Sequence, residues 1–136
     1  MNEQANIQQG EELDNLIKQL TNFSKSINFG KDDLDYLHHA KAIMKRRLIS
    51  FPKENESRIE SIIREVKEYS NIDFSKYNHI TMLLATSSQH ALMMEETDKV
   101  LSEIMSMFRD DTKCLWGQGF DEKLDDKLLL IMVCSY

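Results

Sequence analysis

Apolar positions recur along this chain in two different rhythms. In "EELDNLIKQLTNFSKS", Leu13, Leu16, Ile17, Leu20 and Phe23 fall three and four residues apart, the spacing of one stripe on an amphipathic helix. That helix is predicted at about residues 8–25. "INFGKDDLDYLHHA" then breaks the rhythm and reads as a loop with a short helical turn, Gly30 as the breaker and Asp32 as a cap. "KAIMKRRLIS", residues 41–50, is strand-like and is closed by the turn signal "FPKEN". Its charges, "KRR" at 45–47 among them, read as a solvated strand face or an edge position. Ser57 and Glu60 stand at capping-box spacing before a helical stripe of Ile59, Ile62, Ile63, Val66 and Tyr69. "HITMLLATSS" gives a second strand. A second long helix at about residues 92–108 carries Met94, Thr97, Leu101, Ile104, Met105 and Phe108 on one side. "TKCLWGQG" and "KLLLIMVCSY" are two closing strands joined by "FDEKLDD".

Strands alternating with helices imply crossover units with parallel neighbours. The closing pair should run in opposite directions without having to be adjacent. Leu128 to Cys134 is apolar with no alternation, which is the pattern of a strand covered on both faces and therefore central. The expected fold is α+β: a two-layer β-α-β-α-β-β domain with a four-stranded mixed sheet. Strand 4 is antiparallel, and an N-terminal amphipathic helix precedes the domain.

Composition narrows the function classes. At 136 residues with 41% hydrophobic and 29% charged positions, one ordinary globular core is expected. A net charge of −6 argues against a nucleic-acid surface. The start "MNEQANIQQG" is too polar for a signal peptide, and no apolar run approaches the length of a membrane span. A cytoplasmic protein without membrane insertion is expected. Cys114 and Cys134 lie in apolar runs and read as buried free thiols.

Candidate chemistry is sparse. His38 and His39 are adjacent, which on a helix points them apart, and no metal site is expected. "FDEKLDD" lacks the ligand spacing of a calcium loop. No nucleophile–base set has a recognisable frame. Met93, Met94, Met105 and Met107 cannot all face one core, so some are expected at the surface.

Three stretches carry a family resemblance. "QQGEELDNLIKQLTNFSKSINF" resembles the end of the FtsZ central helix, with its R-Q-G-V-x-x-I-x-D-L-I and I-N-x-D-F patterns. "DDLDYLHHAKAIMKRRL" sits where that family shows A-D-V-x-T-V-M-x-x-x-G-x-A-M-M-G. "CLWGQGFDEKLDDKLLLIMVCSY" resembles the closing hairpin, with Trp116, Gly117, Gly119, Asp121, Glu122, Leu124 and Asp126 in register. The chain thus resembles the C-terminal half of the GTPase core of FtsZ, the bacterial tubulin relative. The resemblance implies a helix over residues 1–26 like the central helix and a C-terminal-like domain over 27–136, whose four-stranded sheet has the order 1423.

The resemblance also implies what is missing. The family cradles phosphate on a glycine-rich loop, whereas four scattered glycines here form none. Its catalytic loop carries I-N-x-D, and here Ile27, Asn28, Phe29 and Gly30 leave the acid's position without a side chain. The expectation is a stand-alone, catalytically inert FtsZ C-terminal-like domain, not an enzyme, acting by protein–protein contact in cell division or filament assembly. Its contact residues, by position in the family, would be Asn28, Phe29, Gly30, Lys31, Asp32 and Asp33. The expected partner is FtsZ or an FtsZ-like protein, with self-association a separate expectation. No cofactor is expected, and GTP enters only if a partner supplies the nucleotide-binding half. Two other readings stay open: part of a GTPase whose nucleotide-binding half is separate or missing, and a small-molecule enzyme of the chorismate-mutase-like kind, for which no motif is present.

Overall fold

The computed structural model describes residues 3–6, 18, 31–68 and 72–136. Of the predicted N-terminal helix only Lys18 is among them, and it is helical; the rest of that helix, Gly30 and Tyr69 lie outside the described residues. The elements are β1 (Glu3–Asn6), a 3-10 helix (Lys31–His39), β2 (Ile43–Ser50), α1 (Arg58–Lys67), β3 (His79–Thr86), α2 (Met94–Met105), β4 (Lys113–Phe120) and β5 (Leu128–Ser135). Short 3-10 turns precede β3, α2 and β5.

The sheet order is β1-β2-β5-β3-β4. The four expected strands stand in the expected order, with β5 antiparallel to both β2 and β3 and with β3 parallel to β4. A fifth strand, β1, adds antiparallel to β2. Its sequence, "EQAN", has no apolar rhythm, so backbone pairing alone makes it a strand.

Strand parity sorts the core. In β2, β3 and β5 the even-numbered apolar side chains, Met44, Leu48, Ile80, Met82, Leu84, Leu128, Leu130, Met132 and Cys134, meet Ile59, Ile62, Ile63 and Val66 of α1 and Val100 and Ile104 of α2. Odd-numbered Ile43, Leu83, Ala85, Leu129, Ile131 and Val133 form a second cluster with Leu34, Leu37 and Leu124. Every residue of β5 is buried, as a strand between two neighbours and two covered faces requires.

The helices begin where the sequence says they should. Ser57 accepts from the Glu60 N–H while Glu60 accepts from the Ser57 N–H, both at 3.1 Å, which opens α1. At α2 the Glu96 carboxylate accepts from the Met93 N–H at 2.9 Å.

Three local expectations are corrected. Arg46 is 1% exposed, not on a solvated face. Its even position points it under the helix layer, where its guanidinium carbon lies 5.9 Å from the Phe74 ring centroid, and β1 covers the edge that β2 would have presented. Met94, expected on the inward stripe of α2, is 78% exposed because it opens the helix before the first inward position, Thr97; Val100 takes the buried place. Cys134 is buried as expected, but Cys114 is exposed on the outer strand.

Candidate interaction surface

The strands divide the molecule into two ends. Ile43, Ser135, His79 and Lys113 lie in register at the end where β2, β3 and β4 begin. Ser50 with Leu128, Ala85 with Leu129, and Thr86 with Phe120 mark the end where they finish.

At the beginning end, the segment that follows the predicted contact loop lies against the sheet. Asn28, Phe29 and Gly30 lie outside the described residues. The backbone of Lys31, Asp32 and Asp33 opens the 3-10 helix Lys31–His39. Within it Leu34 and Leu37, three residues apart, share one side because a 3-10 turn repeats every three residues, and both are fully buried on the sheet. Tyr36 stacks on His79 with ring centroids 4.7 Å apart, and its hydroxyl hydrogen-bonds to the Thr81 hydroxyl. Burial raises the Tyr36 pKa above the usual phenol range against that hydrogen bond. Burial also lowers the His79 pKa, helped by the nearby Lys113 charge, which favours the neutral imidazole.

Backbone bonds fasten the segment after the 3-10 helix to the end of β5. Lys41 N–H donates to the Tyr136 carbonyl at 2.7 Å, and Tyr136 N–H donates to the Ala42 carbonyl at 3.2 Å. Beside them Tyr36, His79, Ile80, Lys113, Cys114 and Leu115 line an open hollow of about 180 Å³. That is small for a drug-sized ligand. It is an aromatic and basic surface feature in which burial raises the Cys114 thiol pKa, which disfavours the thiolate.

At the finishing end, three loops hold one another. Ser87 Oγ donates to the Asp125 carbonyl at 2.7 Å. Ser88 donates to Glu122 Oε1 through its N–H at 3.1 Å and its hydroxyl at 3.0 Å. The Arg58 guanidinium donates to the carbonyls of Asp126 and Lys127 at 3.4 Å each and to that of His90. Asp125 has φ 55° and ψ −114°, the only positive φ among the described non-glycine residues.

Among the described residues no group of three or more His, Cys, Asp or Glu side chains is placed to hold a metal ion. No helix among them is long and apolar enough to cross a membrane. Sequence reasoning missed Tyr36, His79 and Lys113 as neighbours, since they come from separate segments joined only by the sheet register; the adjacency of "DYLHH" and the strand start at His79 gave no sign of it.

Comparison with known proteins gives a fold. No protein-family profile matches the chain, and no curated protein matches it. Solved structures do. An empty FtsZ dimer from M. jannaschii superposes with a TM-score of 0.62 at 14% identity, covering 85% of this chain and 32% of that one. TubZ of Bacillus thuringiensis serovar israelensis, in GDP-form protofilaments, gives a TM-score of 0.59 at 13% identity, covering 90% of this chain and 35% of that one. The chain thus spans about a third of the length of the structures it matches. It has an FtsZ/tubulin-like fold over a domain-sized stretch.

Proposed function

We propose that this domain is a catalytically inert FtsZ C-terminal-like module that works by contact with FtsZ or an FtsZ-like protein in filament assembly. The observation that carries the reading is the overlap of most of the chain with an FtsZ dimer and with a TubZ protofilament. Two features support it. Gly30 stands where the resembling motif has its catalytic acid, so the loop offers no carboxylate at that place for a neighbour's nucleotide. The 3-10 helix that continues this loop is seated on the sheet through Leu34 and Leu37, which anchors the loop's exit to a rigid element.

The proposed contact residues are Asn28, Phe29, Gly30, Lys31, Asp32 and Asp33. The domain docks on the nucleotide-bearing face of an FtsZ subunit and occupies the place of the next one. Fluorescence anisotropy of the labelled domain with purified FtsZ tests this: saturable binding together with no GTP turnover by the domain alone is expected. Absence of binding, or turnover by the domain alone, overturns it.

A second reading rests on the coverage of only a third of the matched chains: the domain belongs to a GTPase whose nucleotide-binding half is supplied separately. Nucleotide binding that emerges only on adding such a half selects this reading over the first.

A further inference from the structure

β4 is the outer strand of the sheet, and among the described residues it pairs with β3 alone. Its two ends show which groups face which way. Lys113 N–H donates to the Asn78 carbonyl and Asp121 N–H to the Thr86 carbonyl, each at 2.9 Å. Along a strand the backbone groups of alternate residues point to opposite edges. Odd-numbered positions therefore serve β3, and Cys114, Trp116 and Gln118 turn their N–H and C=O groups away from the sheet. The strand "KCLWGQGF" holds unbroken register with β3 over its length and carries a single charge, at its first residue. It has no proline, no bulge and no central charge, the devices that blunt an open edge.

We propose that β4 pairs with β4 of a second copy of this chain, antiparallel, about a two-fold axis at Gly117 perpendicular to the sheet. Symmetry requires that directly opposed residues share a sheet face, so the axis must pass through a residue and not between two. With Gly117 on the axis, Trp116 lies opposite Gln118 of the second copy. Both turn their backbone groups outward, and each such pair exchanges two N–H···O=C bonds.

Charge selects the same register. Lys113 comes opposite Asp121 of the second copy, twice by symmetry. An axis at Trp116 would set Lys113 against Gly119, and an axis at Gln118 would set it toward Lys123. Size agrees as well: Gly117 meets Gly117 at the closest backbone approach, and Leu115 meets the open side of Gly119. The two helix layers then lie on the same side of one continuous sheet. The contact is isologous and closes at two copies.

An edge of eight residues is smaller than a standard interface, so a dissociation constant on the order of 10–100 µM is expected. Sedimentation equilibrium of the full chain tests the proposal. A monomer–dimer equilibrium is expected. Gln118→Pro removes an outward N–H and leaves the β3 ladder whole, and should weaken dimerisation by about tenfold or more. Lys113→Glu should weaken it too, and Lys113→Glu combined with Asp121→Lys should restore it. A chain that stays monomeric to about 500 µM, or a Gln118→Pro variant that dimerises like the wild type, overturns the proposal. A double charge reversal no tighter than the single one also overturns it. Lys113 is an exposed side chain, so its reversal alone keeps the test should Asp121→Lys fail to fold.

Discussion

The two ends of the sheet are built by different physics. Where β2, β3 and β4 finish, the loops satisfy each other's polar groups: Ser87, Ser88 and Arg58 donate across chain separations that only the fold brings together. Their hydrogen-bonding capacity is spent internally, and such groups are poor recruits for a ligand. Where those strands begin, the covering segment is held mainly by burial of Leu34 and Leu37 and by the Tyr36–His79 stack, with the Tyr36–Thr81 hydroxyl bond and the backbone bonds to Tyr136 beside them. That leaves Tyr36 and His79 half-buried and Lys113 exposed. One end is knitted and the other is chiefly packed, and the packed end keeps polar groups at its surface.

The contrast can be broken most directly at Leu37. Leu37→Ala should cost about 2–5 kcal/mol in urea denaturation, because the residue is fully buried. A cost below about 1 kcal/mol would mean that the segment is draped on the sheet and not packed into it.

Alkaline titration comes next. Burial pushes the Cys134 thiol up to about 12, although the Arg46 charge pulls the other way. A folded-state pKa above the unfolded one stabilises the fold below the unfolded value, and that stability is lost as pH rises through the folded value. Melting temperature should therefore hold to about pH 9 and fall between there and pH 12. Tyr36 and Tyr77, both raised by burial, act in the same direction. Cys134→Ala should flatten the slope, and an unchanged slope would assign the alkaline loss to other groups.

Smaller changes sharpen the comparison. Tyr36→Phe removes the hydroxyl partner of the fully buried Thr81 and should cost about 0.5–1.5 kcal/mol in the same denaturation assay. Ser88→Ala at the knitted end removes one bond to an exposed carboxylate and should cost less than about 1 kcal/mol. If Ser88→Ala proved the more damaging of the two, the finishing end would be the tighter element and the ranking of the two ends would reverse.

The sheet was legible because its signals are local and unambiguous. β5 is apolar at every position up to Cys134 and stands in the middle; the alternation of strands and helices gives the crossover connections, while the order of the four main strands came with the family resemblance. β1 was not legible, since a polar tetrapeptide becomes a strand only by meeting the open edge of β2. Arg46 was not legible either. A charge within a strand is expected to face water, and only the parity of the neighbouring apolar positions shows that it turns inward. The contact loop was read by its likeness to a motif, and Asn28 to Gly30 lie outside the described residues. The surface beside it, formed by Tyr36, His79 and Lys113, depends on which strand lies next to which, and short-range pattern does not encode that.

Docking on an FtsZ subunit is the central claim, and GTP-triggered light scattering of FtsZ tests it most directly. With the domain added below the FtsZ concentration, the scattering plateau should fall, and charge reversal at Asp32 and Asp33 should restore it. A plateau unchanged by an excess of the folded domain would contradict the account.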